Sequence, residues 1–251
     1  KENHSKDAII WNGETYSYEA LINKIDYFND ILKKNKINSG DVVSIIGDFT
    51  PNSISLMLSL IQKSCIIVPL NNNSQNSHKE YLSIAEVKYE INVNFKDEIK
   101  INKSNEGIIK NKYLKRIKTL RKPGLVLFTS GTSGKPKAAV HNFSLLLKKF
   151  KIKKPALRTL NFLLFDHWGG LNTMFYILSS GGTIISVKDR KPKSICKLIE
   201  KYKIELLPAS PSFLNLMLLS KSYLEFDLKS LKIISYGTCL LYTSDAADEE
   251  D

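Results

Sequence analysis

Leu125-Val-Leu-Phe-Thr-Ser-Gly-Thr-Ser-Gly-Lys-Pro-Lys-Ala-Ala-Val-His-Asn142 is the stretch on which the reading of this chain turns. Two apolar runs flank a loop of small hydroxylated residues, two glycines and two lysines. Glycines let a backbone approach a ligand closely and turn its N–H groups onto oxygen atoms, hydroxyls add donors, and lysine supplies countercharge. Such a loop suits a polyphosphate. It differs from the common P-loop: two residues separate Gly131 from Gly134, and Pro136 follows Lys135 where that motif needs a hydroxyl residue after its lysine. The run from Lys137 to Val140 reads as a returning strand, so the unit is strand–loop–strand. A Ser/Gly loop by itself is also compatible with a hairpin that binds nothing.

Working outward, helical and strand patterns alternate along most of the chain. Asn12-Gly13 marks a hairpin within Ala8 to Tyr18. Ser17 caps a helix with Leu21, Ile25, Phe28 and Leu32 on one face, which ends between Asn35 and Gly40. Asp41 to Gly47 is a short β-branched run, read as a buried strand. Thr50-Pro51 opens a helix, with Pro at the first helical position where its missing N–H does no harm. Cys65 to Leu70 is a strand. Further on, Thr183 to Val187 is a strand, Pro192 to Tyr202 a helix and Ile204 to Pro208 a strand. Ser210-Pro211 opens a helix through Leu219, and Leu231 to Ser235 is a strand. Strands spaced by helices of this length predict an α/β fold with largely parallel sheets and flanking helices. The expected division is a first α/β part over 1–95, a charged connector over 96–122, and a second α/β part over 123–238 that carries the loop. Both parts belong to one domain, the truncated N-terminal domain of a larger fold.

A chain of 251 residues with net charge +12 invites a nucleic-acid reading. The lysines are scattered among Ile and Asn through nearly every segment, and no basic–aromatic platform is evident, so no nucleic acid is expected. Three cysteines, Cys65, Cys196 and Cys239, stand at no metal-ligand or disulfide spacing, which suits a reducing cytoplasm. The longest apolar stretches, Ile54 to Leu70 and Leu160 to Val187, are interrupted by polar residues and Gly pairs, so no membrane span is expected. No signal-peptide pattern opens the chain. Residues 239–251 depart from the Lys/Ile/Asn bias of everything before them. They read as a non-native, adapter-derived tail, with native sequence expected to end near Thr238.

Thr129-Ser-Gly-Thr-Ser-Gly-Lys-Pro-Lys137 closely resembles the signature loop of the adenylate-forming superfamily: acyl-CoA synthetases, adenylation domains and luciferase-like enzymes. One departure is Ala138, where the family usually has Gly, and it would matter if that position needed positive φ. Thr15 to Leu21, Gly40-Asp-Val-Val43 and Val68-Pro-Leu70 resemble the family's N-terminal landmarks. Leu163 to Gly170 resembles the segment that lines and gates the acyl pocket, and Gly181-Gly182 the turn that follows it. The resemblance implies that Thr129, Ser130, Gly131, Thr132, Ser133, Gly134 and Lys137 grip the ATP phosphates. It implies that His167, Trp168 and Gly169 line the acyl pocket, although a lone His is in general more often structural. Tyr236, Gly237 and Thr238 resemble the strand-end motif bordering nucleotide and acyl group; read structurally, Gly237 merely ends a strand.

The reaction implied is ATP-dependent activation of a carboxylic acid as acyl-adenylate, then transfer to a thiol. ATP, Mg2+ and coenzyme A are the implied cofactors. A small-molecule carboxylic acid is the partner, and an acyl-carrier protein is the alternative acceptor, in which case the chain is a carrier-loading adenylation domain. A non-catalytic nucleotide-binding module is the reading from another class. The family's catalytic Lys lies on a C-terminal domain absent from this sequence, so no catalytic residue is assigned and the piece alone is expected to be inactive.

Overall fold

The computed structural model describes residues 4–72, 75–104, 107–130 and 136–236. The first elements are β1 (Asp7–Trp11), β2 (Glu14–Ser17), α1 (Tyr18–Lys34), β3 (Val42–Gly47), α2 (Pro51–Gln62), β4 (Ile66–Asn71), α3 (Gln75–Ile84) and β5 (Tyr89–Val93). Next come β6 (Ile99–Lys103), α4 (Lys112–Thr119), β7 (Gly124–Ser130), β8 (Pro136–Asn142), α5 (Phe143–Leu147) and β9 (Arg158–Asn161). The last are α6 (Trp168–Ser180), β10 (Thr183–Ser186), α7 (Pro192–Tyr202), β11 (Leu206–Pro208), α8 (Pro211–Ser220) and β12 (Ile233–Ser235).

Local chemistry accounts for the element boundaries. Asn12 and Gly13 both take positive φ, 51° and 90°, as a two-residue hairpin turn between Trp11 and Glu14 requires. Ser17 Oγ accepts from Ala20 N at 3.1 Å and caps α1. Thr50 Oγ1 accepts from Ser53 N at 3.1 Å, and Pro51 takes the first position of α2. Gly181 closes α6 at φ 72°, a left-handed cap that a side chain would strain.

The strands form two six-stranded sheets, in the orders β12-β11-β9-β10-β1-β2 and β6-β5-β3-β4-β7-β8. Within them, β1/β2, β5/β6 and β7/β8 pair antiparallel and all other pairs run parallel. The sheets do not follow the division by sequence. β1 and β2 join the strands after residue 158, and β7 and β8 complete the sheet begun by β3. The stretch read as a connector supplies edge strand β6 and helix α4, whose Leu114 and Ile117 are buried on the second sheet. Lysine-rich sequence hides that helix from a reading that looks for long apolar periods.

Central strands β3 and β4 are apolar on both faces because helices cover both. In β3, Val43 and Ile45 enter the core between the sheets while Val42 and Ile46 face the outer one. α1, α2, α5 and α6 contribute to the inner core; α7 and α8 pack on the outer face of the first sheet, and α3 and α4 on that of the second. α2 therefore lies deep, with Ser55 and Ser59 fully buried. Their hydroxyls stay satisfied by donating to Pro51 O at 2.7 Å and Ser55 O at 3.0 Å within the same helix. This helix–sheet–helix–sheet–helix stack matters for the site: parallel strands align their carboxyl ends, and open α/β sheets bind ligands there.

Candidate functional site

The hairpin β7–β8 carries the stretch quoted first. Seven register pairs zip it from Gly124 opposite Asn142 to Ser130 opposite Pro136, and Thr129 faces Lys137. The returning strand expected after the loop is present. Phe128 stacks on Tyr81 of α3 with ring centroids 4.2 Å apart and planes 10° apart, which holds the end of β7 against its neighbour. Thr129 and Lys137 are both exposed, so a hydroxyl and an ammonium stand across from each other at the mouth of the loop. Gly131, Thr132, Ser133 and Gly134 lie outside the described residues, as do Gly237 and Thr238. Ala138 lies within β8 opposite Phe128 and is not among the residues with positive φ, so the departure from glycine costs no backbone strain.

The segment Leu163 to Gly170 lies where β9 ends and α6 begins. Adding a Cβ to Gly170 would bring it within 2.2 Å of Leu164 O, so only glycine lets the chain fold back this tightly before the helix. That turn aims Asp166 inward and His167 outward, their side chains 17% and 64% exposed. Asn71, the last residue of β4, donates from Nδ2 to Asp166 Oδ2 at 2.7 Å. A residue of one sheet thus holds the loop leaving the other. His78 Nε2 lies 3.0 Å from Asn71 O and steadies the same strand end. Asp166 Oδ1 is buried with no hydrogen-bond partner among the described residues, and His167 Nε2 stands 3.9 Å from it. A buried carboxyl oxygen left without a partner is a costly arrangement in a folded chain.

Trp168 begins α6, and Lys149 Nζ sits 4.9 Å from its ring centroid. Burial, and then the nearby charge of Lys154, lower the Lys149 pKa from its ordinary value. Gly169 is buried in the same turn. Tyr236 follows β12 directly and is exposed. It stands at the carboxyl end of the first sheet, like His167, with β11 lying between β12 and β9. Sequence reasoning quoted Asp166 without assigning it and passed over Asn71. Both carry the same signal, a polar residue closing a buried apolar run. Among the described residues there is no group of three His, Cys, Asp or Glu side chains that could hold a metal ion.

Two mixed sheets in a five-layer stack, with the β7–β8 hairpin at one edge, match the N-terminal domain architecture of adenylate-forming enzymes. The chain belongs to the AMP-binding enzyme family, whose model matches residues 1–242. It is 23% identical over 226 residues to Bacitracin synthase 1 of Bacillus licheniformis, across 86% of this chain and 4% of that protein. It is 30% identical over 129 residues to an indoleacetate–CoA ligase of Aromatoleum aromaticum, across 47% of this chain and 25% of that one. The fold is similar to an inhibitor-bound crystal structure of the N-terminal domain of FACL13 from Mycobacterium tuberculosis. There the TM-score is 0.74 at 18% identity, covering 95% of this chain and 67% of that one. The chain therefore spans a minor part of each curated relative.

Proposed function

We propose that this chain is the ATP-gripping portion of a ligase that activates a carboxylic acid as acyl-adenylate and hands it to a thiol, coenzyme A in the first instance. The observation that carries the reading is the zipped hairpin, which fixes Thr129 opposite Lys137 at the strand ends. In the first half-reaction a carboxylate oxygen attacks the α-phosphorus of ATP, the bond to the β-phosphate bridging oxygen breaks, and pyrophosphate leaves. In the second, the thiol sulfur attacks the acyl carbon and releases AMP, its proton passing to a base. Positioning and charge neutralisation supply most of the catalysis of such a transfer.

Thr129 to Gly134 would offer hydroxyls and backbone N–H groups to the β- and γ-phosphates, with Lys137 as countercharge. Mg2+ would arrive bound mainly to those phosphates, as is usual for an ion that keeps several waters and few protein ligands. His167, Trp168 and Gly169 would wall the acid, and Tyr236 with Gly237 and Thr238 would border the nucleotide. The buried, unpaired thiols of Cys65 and Cys196 are in keeping with a cytoplasmic setting.

Lys137→Ala should weaken ATP binding by about 10- to 100-fold, the worth of one charge-assisted contact, read by equilibrium dialysis. Unchanged affinity would refute the assignment. The 251-residue chain alone is expected to give no carboxylate-dependent pyrophosphate exchange. A second reading, an adenylation domain that loads a carrier protein, is favoured by the similarity to Bacitracin synthase 1 over 86% of this chain. Assaying the complete reading frame with coenzyme A and with a phosphopantetheinylated carrier separates the two.

A further inference from the structure

A cavity of about 740 Å³ has Leu164, in the loop after β9, and Asn71, at the end of β4, in its wall. None of the described residues assigned above to ATP or acid lines it. Its apolar lining includes Trp11 and Phe49. One wall is the face of α7 that repeats Ser194, Lys197, Leu198 and Lys201 at helical spacing. Phe95, 69% exposed in the turn between β5 and β6, also lines the cavity. That turn is held by Asn94, whose side-chain oxygen accepts from Lys96 N and Glu98 N at 2.9 and 3.0 Å.

The charges around this cavity do not cancel. Asp48 is engaged by Arg190, with Nη2 to Oδ2 at 3.3 Å. Asp189 accepts from Lys191 N at 3.1 Å and Ser194 Oγ at 2.6 Å. Lys188, Lys197 and Lys201 also line the cavity, and among the described residues no carboxylate pairs with any of them. Lys201 Nζ lies 4.9 Å from the ring centroid of Tyr202, which also lines the cavity; three ammonium groups without a carboxylate partner around one concavity focus a positive potential into it. Aromatic walls offer a planar ligand a surface for stacking. The volume falls within the usual range of small-molecule sites, about 300–1,000 Å³.

We propose that this cavity is a second ligand site, separate from the hairpin loop, that takes an aromatic phosphate ester of nucleoside monophosphate size. Its phosphate meets Lys188, Lys197 and Lys201, and its base lies against Phe95 and Trp11. The proposal stands without the ligase reading.

The chain contains two tryptophans, so Trp168→Phe leaves Trp11 as the sole indole and a reporter inside the cavity. In that background AMP should quench Trp11 saturably, and inorganic phosphate or ribose 5-phosphate should bind about tenfold or more weakly for want of stacking. The double variant Lys197→Glu/Lys201→Glu should weaken AMP at least about tenfold, with unchanged circular dichroism because both lysines are exposed. Phe95→Ala should weaken AMP and leave phosphate binding unchanged. Lys137→Ala should leave the Trp11 response unchanged. No saturable Trp11 response to AMP would overturn the proposal. So would a response that Lys137→Ala abolishes and the double charge reversal does not touch. Phosphate binding as tightly as AMP would overturn the aromatic half of it.

Discussion

Among the described residues both sheets carry six strands, yet the one built from β3 to β8 is bordered at each edge by an antiparallel partner, whereas the other has such a border only at β2 and has the parallel strand β12 at its far side. An antiparallel edge strand tolerates one wet face, as β6 does; parallel strands are normally covered on both. All three residues of β12 are exposed, and the adjacent α8 shows apolar side chains to solvent, Leu219 at 80%. The complete sheet is encoded by one contiguous stretch from Val42 to Asn142. The open one is assembled from both ends of the chain, and it is the one that carries His167 and Tyr236. Structural self-sufficiency thus falls on one sheet, and the residues proposed to wall the acid, His167, Trp168 and Gly169, follow a strand of the other.

The largest test of this contrast is Ile45→Ala in the closed sheet. Ile45 is fully buried at the heart of the inner core, so the cost should be about 2–5 kcal/mol in urea unfolding. Next, Asn71→Ala cuts a side-chain link between the sheets at the site and removes the amide that donates to Asp166. A loss of about 1.5–3 kcal/mol is expected, with hydrogen exchange rising in the loop before α6 more than in β3 or β5. If exchange rises equally in both sheets, the sheets unfold as one unit and the contrast fails.

Alkaline titration should single out the closed sheet. Burial pushes the Cys65 thiol up to about 12, so the folded state resists ionisation that the unfolded chain undergoes near 9. The thiol's contribution is fully present below pH 9 and is lost as pH rises toward 12. Cys65→Ala, less stable at neutral pH, should therefore lose about 1–2 kcal/mol less than the parent between pH 9 and 10.5. Equal losses would place the ionising group elsewhere. The smallest effect belongs to Ile234→Ala on the open edge, expected within about 0.5 kcal/mol. A cost like that of Ile45→Ala would show β12 to be as well packed as β3.

Legibility followed local chemistry. The hairpin at Asn12-Gly13, the caps at Ser17, Thr50 and Ser210, and helix Pro192–Tyr202 depend on residues within a few positions, and each stands where the sequence puts it. Strand ends shifted by a residue or two, as with β11 beginning at Leu206, because pairing partners set them. What could not be read was partnership. Nothing in Asp7–Trp11 says that it pairs with Thr183–Ser186, and nothing in the lysine-rich run before Leu125 says that Leu114 and Ile117 are covered. At the site, the hairpin and the Asp166-His167-Trp168 segment were legible as strings. The bond from Asn71 to Asp166 was not, since it joins residues far apart in sequence by a contact that only the stack creates.

The position of β1 has a consequence for biosynthesis. It is sandwiched between β2 and β10, with Ile9 registered against Ile184. A ribosome adding about 5–20 residues per second needs on the order of 10–35 s between making those two isoleucines. Throughout that interval the β1–β2 hairpin lacks the β10 partner that it has in the fold, while the stretch from Val42 to Asn142 can already collapse. Nascent chains arrested between residues 150 and 180 should therefore bind trigger-type chaperones through the first strand and release them once Thr183–Ser186 emerges.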